Sequence, residues 1–316
     1  MSSSERVLEL TGEEPRGLPA VRLLWFDIAS ETHRGTVRSE NQDYILVDHA
    51  QQLVILCDGV GGAQAGALAA AESAVFVREA LLSDPVSENP DAPKDWVKAV
   101  SKALRGANDH LNGLAASNPD HAGMGTTCTL LMGTGNGLVL GHVGDSRCYR
   151  WAGRKLQQLT EDETTDDIAR RFFGLAPDPA GPGRATSRTL AQVIGTDATR
   201  FFPAVALQPA ENGDLFLLCS DGLTGSLSEA AIAAVLSRAD APLQGKCSEL
   251  VARAVAAHAQ DNVSAVLVRI GRERPLHPVA ANTAQGSTAR RLFAWKVTTY
   301  VLVAAAAIAL LLWTLR

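Results

Sequence analysis

The stretch Leu53–Gly62, LVILCDGVGG, joins an apolar run to an aspartate-glycine pair and two further glycines. A short apolar run bounded by glycine predicts a buried strand, and the alanine-rich sequence after Gly62 predicts a helix instead of a return strand. Asp-Gly is also a common hairpin turn, so the pair alone is weak evidence for a site. Residues 215–223, LFLLCSDGL, repeat the pattern of an apolar strand that ends in cysteine beside an aspartate. Both runs therefore predict aspartates held at the ends of buried strands.

Composition and charge limit the classes of protein that the chain can belong to. It has 316 residues, 46% of them hydrophobic, which is enough to bury a sizeable core. Its formal net charge of -5 gives no basic surplus, so we expect no nucleic-acid partner. The five cysteines are an odd number at irregular spacing without a CxxC pair, which favours a reducing compartment over a disulfide framework.

Short apolar runs and amphipathic stretches alternate irregularly between about residues 23 and 270, which predicts one α+β domain. Apolar runs in hairpin-like pairs favour antiparallel sheets. The predicted strands are Tyr44–Val47, Leu53–Cys57, Cys128–Met132, Leu138–Val143, Cys148–Trp151, Leu215–Cys219 and Ala265–Ile270. Apolar residues at three- and four-residue spacing predict the helices Ala65–Leu82, Trp96–Leu114, Glu229–Ser237 and Ser248–His258.

The two ends of the chain differ in composition from the predicted domain. Residues 1–22 lack the apolar core of a secretory signal, and we treat them as an N-terminal segment outside the domain of residues 23–270. Residues 271–294 lose the helical periodicity and gather Pro, Asn, Gln, Gly and Ser, which is typical of a flexible linker.

The last residues, 295–316, are predicted to form a transmembrane anchor. Within them, Val297–Leu315 carries no charge and would span about 28 Å as a helix, close to the hydrocarbon thickness of a bilayer. Basic residues cluster just before this run and only Arg316 follows it, so the positive-inside rule places the domain on the cytoplasmic side. We therefore expect a single-pass protein of the inner (plasma) membrane. The alternative is a buried helix at the end of the domain.

Aspartates recur where the predicted strands end. Several carboxylates that converge in one cleft would repel one another unless cations lay among them. Ligand sets made only of oxygen select hard ions such as Mg²⁺ or Mn²⁺. The carbonyl of Gly59 could add a ligand, because no side chain crowds it. The candidate aspartates are Asp43, Asp58, Asp145, Asp221 and Asp261.

Six short motifs that contain these aspartates occur in a fixed order along the chain. The set resembles the metal-dependent serine/threonine protein phosphatase family, protein phosphatase type 2C, in its bacterial form, and the resemblance covers roughly Asp27 to Ile270. It implies a four-layer α-β-β-α sandwich with two antiparallel sheets and a two-metal site at one end. The motifs are RxxNQD (38–43), DGVGG (58–62), GTT (125–127), GDSRCY (144–149), SDGL (220–223) and DNVS (261–264).

The resemblance also implies the metal ligands. Asp58 would bridge two ions, Mn²⁺ or Mg²⁺, and Gly59 would bind through its carbonyl. Asp221 and Asp261 would complete the shell of the first ion, and Asp145 would offer a looser position for a third.

Two further residues receive roles from the same resemblance. Arg38 would bind the phosphoryl group through its guanidinium fork, and Asp43 would orient a metal-bound water from behind the ligands. The sequence departs from the family at Gln42, where glutamate is usual, at Val60, where eukaryotic members have a histidine, and at Gly225, where the family's side-chain partner for a third ion is absent.

The expected function is hydrolysis of phosphoserine and phosphothreonine in proteins by a water activated between two metal ions. The expected partners are phosphorylated proteins, a cognate serine/threonine kinase with its substrates, and the membrane. The alternative is a metal-binding module at the membrane that docks phosphoproteins without catalysis.

Overall fold

The computed structural model describes residues 6–10, 25–84, 93–134, 137–167 and 189–271. Its strands are β1 Val7–Leu10, β2 Trp25–His33, β3 Asp43–Asp48, β4 Leu53–Val60, β5 Gly125–Thr126, β6 Cys128–Thr134, β7 Gly137–Val143, β8 Arg147–Ala152, β9 Lys155–Gln158, β10 Ala204–Gln208, β11 Leu215–Cys219 and β12 Val263–Gly271. Its helices are α1 Ala63–Ser83, α2 Pro93–Ser117, α3 Asp221–Thr224, α4 Glu229–Leu236 and α5 Leu243–Ala256. Each predicted strand and helix is present, with ends shifted by a few residues.

Within the described residues the strands form two sheets. The first has the order β1-β3-β4-β6-β7-β10, with β5 also paired to β4, and the second has the order β2-β12-β11-β8-β9. Neighbouring strands are antiparallel except β1 and β3, which run parallel from Val7 beside Ile45 to Leu10 beside Asp48. The prediction of two antiparallel sheets is therefore wrong at this edge. Between β1 and β3 the chain passes through β2 of the other sheet, and such a crossover lets two strands of one sheet run in the same direction.

Three apolar clusters fill the spaces between the layers. One lies between the first sheet and helices α1 and α2, and includes Ile55 and Leu104. A second lies between the two sheets and includes Val54 and Phe216. A third lies between the second sheet and helices α4 and α5, and includes Leu250. The layers thus follow as helices, sheet, sheet and helices.

Strand alternation makes one end of the space between the sheets polar. Successive side chains of a strand point to opposite faces, so residues two apart share a face. In β4, Leu56 belongs to the cluster between the sheets, and Asp58 follows two residues later. In β3, Ile45 belongs to the same cluster, and Asp43 precedes it by two residues. Asp43 and Asp58 are also directly paired across β3 and β4.

The second sheet adds hydroxyl groups to this polar end. In β12, Val266 lies between the sheets and Ser264 precedes it by two residues. Ser264 Oγ lies 2.7 Å from Thr32 Oγ1 of β2, and both residues are buried. The buried layer between the sheets therefore changes from apolar to polar as it approaches the candidate site.

No helix within the described ranges is both long enough and apolar enough to cross a membrane. The predicted anchor, residues 295–316, lies outside the described residues, as does all of the predicted linker 271–294 except Gly271.

Candidate functional site

Six of the seven predicted site residues line one cleft at the polar end of the sandwich. The cleft has a volume of about 340 Å³, and Ser39, Glu40, Gln42, Val60, the two glycines after it and Leu190 complete its wall. The seventh, Asp43, is fully buried and is not part of the wall. The predicted residues in the wall are Arg38, Asp58, Gly59, Asp145, Asp221 and Asp261.

The backbone of Asp58 is fixed by two buried threonines of the GTT motif. Asp58 N donates to Thr127 Oγ1 at 3.0 Å. Asp58 O accepts from Thr127 N at 2.9 Å and from Thr126 Oγ1 at 2.9 Å. These hydrogen bonds hold the backbone of the proposed bridging ligand in place.

The carboxyl group of Asp58 lies in an unfavourable electrostatic environment. Burial raises its pKa well above the usual range, and the nearby carboxylates of Asp43, Asp221, Asp261 and Asp145 raise it further. A group surrounded in this way keeps its charge only if positive charge is brought close to it.

Asp43 lies behind Asp58, in contact with the second sheet. Its Oδ2 accepts from Ser264 Oγ at 2.6 Å and from Ser220 Oγ at 2.9 Å. Burial raises the pKa of Asp43 to about 7, although both serine hydrogen bonds act to lower it. Its Oδ1 is buried, and no hydrogen-bond partner for it is present among the described residues. No role was predicted for Ser220, which directly precedes Asp221 in the SDGL motif and donates to Asp43.

Arg38 lies in an exposed loop and contacts a predicted metal ligand. Its Nη2 donates to Asp261 Oδ2 at 2.6 Å. This hydrogen bond raises the pKa of the Arg38 guanidinium. Asp261 Oδ1 accepts from the backbone N of Asn262 at 2.8 Å.

Glycine is required beside both aspartates that follow apolar strands. A Cβ atom on Gly59 would lie 2.1 Å from the carbonyl oxygen of Gly66 in α1. A Cβ atom on Gly222 would lie 2.0 Å from the carbonyl oxygen of Asn262. Each glycine therefore lets a second backbone segment approach the cleft more closely than any side chain would allow.

Asp145 reaches the cleft from the loop between β7 and β8. Glu163 holds this loop, because its Oε2 accepts from Gly144 N at 2.8 Å. Ser146 is fully buried, and its Oγ lies 2.9 Å from Thr127 Oγ1. One pair of hydroxyl groups thus ties the Asp145 loop to the threonine that holds Asp58.

The donor set of the cleft fits hard divalent cations. Among the described residues, no three carboxylate, imidazole or thiol groups are arranged to hold one ion as the side chains stand. The donors are nevertheless oxygen atoms, and burial together with the charges of the neighbouring carboxylates disfavours the charged form of Asp58. Two divalent ions would offset these negative charges, and Mg²⁺ and Mn²⁺ prefer such ligands.

The cysteines beside the cleft are structural. All five cysteines of the chain are buried and free. Burial raises the pKa of Cys219 to about 12 and raises that of Cys57 well above the usual range. Thiols of this kind react slowly, because the thiolate is the nucleophile.

The fold and the cleft together define an α+β sandwich protein with a carboxylate site for divalent metals. The model of the family "Protein phosphatase 2C" matches residues 31–267. The chain belongs to this family. The family predicted from the six motifs is confirmed, and with it the class of enzyme, since the curated relatives are named as serine/threonine or protein phosphatases.

Two curated relatives show how much of the chain is shared. PhpP of Streptococcus pneumoniae is 30% identical over 250 residues, which are 78% of this chain and 98% of that protein. PstP of Mycobacterium tuberculosis is 30% identical over 242 residues, which are 77% of this chain but 44% of that protein. The chain thus spans less than half the length of PstP.

Solved structures share the fold. The catalytic domain of PstP in complex with 2 manganese ions matches with a TM-score of 0.66 and 27% identity, over 79% of this chain and 99% of that one. Stp1 of Staphylococcus aureus matches with a TM-score of 0.68 and 26% identity, over 83% of this chain and 99% of that one.

Proposed function

We propose that the chain hydrolyses phosphoserine and phosphothreonine in proteins and requires Mn²⁺ or Mg²⁺ for this reaction. The observation that carries the proposal is the meeting of four aspartates and one arginine, from distant parts of the sequence, in one cleft. The manganese ions bound by the PstP domain support the choice of cation.

The residues of the cleft have separate tasks in this proposal. When bound, two divalent cations would supply Lewis acidity and lower the pKa of a water. Asp58, the Gly59 carbonyl, Asp221 and Asp261 would hold them, with Asp145 beside them for a third. None of these groups needs to act as a nucleophile itself.

Arg38 would bind the phosphoryl group of the substrate. Its guanidinium presents a planar fork that matches two phosphoryl oxygens. It lies at the mouth of the cleft, where its side chain is 51% exposed, and it already contacts Asp261. It can therefore reach a phosphate placed next to the carboxylates and offset charge that develops there.

Asp43 would orient the water of the reaction from behind the ligands. Ser220 and Ser264 fix one of its oxygens, which leaves Oδ1 directed away from both hydroxyl groups. A carboxylate held in this way can accept a hydrogen bond with a defined direction.

The test is release of phosphate from a phosphothreonine peptide by the full chain, with and without Mn²⁺. We expect turnover that requires the metal and falls by on the order of 10³-fold in Asp58→Asn. The exposed Asp240→Asn, which also removes one aspartate charge, is the matched control and should retain full activity. Binding of Mn²⁺ and phosphopeptide without turnover would favour the docking module instead.

We also propose that the domain is held at the cytoplasmic face of the plasma membrane, where it opposes a serine/threonine kinase. The support is the run Val297–Leu315, which is long enough for a bilayer and carries no charge. Fractionation of cells tests this proposal. The full chain should sediment with membranes, and a chain that ends before residue 295 should not.

A further inference from the structure

Two loops from opposite ends of the domain sequence lie against each other at the cleft. We call residues 34–42 the arginine loop, since they carry Arg38, and residues 259–262 the Asp261 loop. Thr36 donates to the carbonyl of Ala259 through its Oγ1 at 3.0 Å. Gly35 has a positive φ of 79°, and a Cβ atom there would lie 2.1 Å from the carbonyl oxygen of Asp261. The loops therefore approach more closely than a side chain at Gly35 would permit.

The side chain of Asn262 joins the two loops by three hydrogen bonds. Its Nδ2 donates to the carbonyls of Arg34 and Glu40, each at 2.8 Å. Its Oδ1 accepts from the backbone N of Gln42 at 2.8 Å. Asn262 is 2% exposed, so these bonds are protected from water. They grip the arginine loop on both sides of Arg38.

The backbone of Asn262 contacts the neighbouring carboxylate. Its N donates to Asp261 Oδ1 at 2.8 Å, while Arg38 donates to Asp261 Oδ2 at 2.6 Å. One residue therefore holds the loop of the phosphate-binding arginine through its side chain and a metal-ligand carboxylate through its backbone.

We propose that Asn262 is a positioning residue that sets the distance between Arg38 and the metal site. This proposal rests on the proposed function. An amide side chain supplies two donors and one acceptor at once. Among side chains of this size, only asparagine can bind two carbonyls and one backbone N–H together. The side-chain hydrogen bonds of Asn262 reach residues more than 200 positions away in the chain.

The proposal explains why a residue that touches no substrate should affect substrate binding. Displacement of a catalytic group by about 1 Å can cost about 100-fold in rate. Loss of the amide would free the arginine loop but leave the backbone bond to Asp261, since that bond needs no side chain. Phosphate binding should therefore weaken while metal binding persists.

The experiment compares the full-length wild type with Asn262→Ala in two calorimetric titrations, Mn²⁺ alone and inorganic phosphate in the presence of Mn²⁺. We expect the Kd for phosphate to rise by about 10- to 100-fold and the Kd for Mn²⁺ to change by less than about threefold. The KM for a phosphothreonine peptide should rise with the phosphate Kd. Asn108→Ala is the matched control, because Asn108 is also a buried asparagine but bonds Gly195, outside both loops.

Asn262→Asp provides a second test if the alanine variant does not fold. It keeps the shape and the acceptor but loses both donors, and its added charge cannot weaken cation binding. Phosphate should again bind about tenfold or more weakly. Equal weakening of both ligands, or unchanged phosphate binding, would overturn the proposal. A wild type that binds Mn²⁺ but turns over no phosphopeptide would overturn the proposed function, and this inference with it.

Discussion

Two aspartate-glycine pairs follow apolar runs that end in cysteine, one in each sheet, yet they adopt different local structures. Asp58-Gly59 stays within β4, which continues to Val60. Asp221-Gly222 leaves its strand and begins the short helix α3. The same dipeptide is a strand segment in one sheet and a helix start in the other. Neither forms the hairpin turn that Asp-Gly most often indicates.

The pairs differ because their neighbours differ. Asp58 lies beside the GTT motif, whose threonines fill its backbone hydrogen bonds and keep it extended. Asp221 is followed by residues that close a helical turn, with Gly225 N donating to Asp221 O at 2.6 Å. Tertiary partners, and not the local sequence, decide the conformation of each pair.

What the pairs share is close backbone packing. Each glycine lies where a Cβ atom would meet a carbonyl oxygen at about 2 Å, from α1 in one case and from Asn262 in the other. Close approach brings distant segments to the cleft, and the aspartate next to the glycine then faces the other carboxylates. The glycine is therefore the common structural requirement, and the aspartate is the common chemical one.

The largest expected effect is a difference in activity between variants of Asp58 and Asp221. Asp58 is the proposed bridge between two ions, whereas Asp221 is proposed to hold one. Asp58→Asn should lower kcat/KM by on the order of 10³-fold, and excess Mn²⁺ should not restore it. Asp221→Asn should lower kcat/KM by a smaller factor, and excess Mn²⁺ should restore part of the lost activity. Steady-state kinetics over a Mn²⁺ titration measure both variants. If the two variants lost the same activity and recovered it to the same extent, the two aspartates would not differ in their roles.

The next effect tests the glycines. Gly59→Ala and Gly222→Ala should each destabilise the fold by about 2–3 kcal/mol, because the methyl group meets backbone that cannot rotate away. Thermal unfolding measures this loss. Gly113→Ala is the control, since Gly113 lies in α2 with open space around it and should gain about 0.4–1 kcal/mol. If Gly59→Ala left the stability unchanged while Gly222→Ala lowered it, the two glycines would serve different purposes.

The sequence predicted the site better than the edges of the sheets. Apolar runs such as Leu53–Cys57 and Leu215–Cys219 are buried on both faces, so their composition alone predicts strands. β2 was not predicted, because it is an edge strand in which Asp27, Ser30 and Glu31 interrupt the apolar pattern. β10 was missed for a similar reason, since it is an edge strand of the first sheet and most of its residues are exposed.

The hydrogen bonds that support the site could not be predicted from local sequence patterns. The resemblance identified the carboxylates, and strand alternation could have aimed Asp43 and Asp58 into the space between the sheets. The partners of Asp43 could not be predicted in this way, because Ser220 and Ser264 lie 177 and 221 residues away in the chain. Such contacts depend on how the two sheets stack.

A smaller effect tests whether Thr127 holds Asp58 in the position that binds metal. Thr127→Val keeps the shape of the side chain but removes the acceptor for Asp58 N. Loss of such a supporting partner should weaken Mn²⁺ affinity by about 10- to 100-fold. Thr134→Val is the control at the far end of β6, because Thr134 is equally buried and bonds the hairpin carbonyl of Gly137. Calorimetric titration should show weaker Mn²⁺ binding in the first variant only. Similar affinities in both would mean that Thr127 has no special hold on the ligand.

The smallest expected effect concerns pH and the support of Asp43. The folded pKa of Asp43 is about 7, above its value of about 3.9 in an unfolded chain. Its contribution to stability is therefore complete below pH 4 and is lost as the pH rises through 7. In EDTA, the titration of Asp43 should lower the free energy of unfolding by about 1 kcal/mol between pH 6.5 and 8.5, and Asp58, whose pKa is also raised, should add to this fall.

In this pH window the carboxyl group outweighs the buried histidine. Burial lowers the pKa of His142 to about 4, so its own contribution increases through about pH 6.5 and is nearly complete by about pH 7.5, which offsets about half of the fall from Asp43. Ser220→Ala removes a hydrogen bond that lowers the pKa of Asp43, and it should move the fall in stability to higher pH. Thr127→Val should change the melting temperature without moving the fall, because Thr127 supports backbone and not a carboxylate. A melting temperature that rises from pH 6.5 to 8.5 in the wild type would contradict the buried, protonated state of Asp43. If Ser220→Ala and Thr127→Val moved the fall in stability by the same amount along the pH scale, the two residues would not have separate roles in the site.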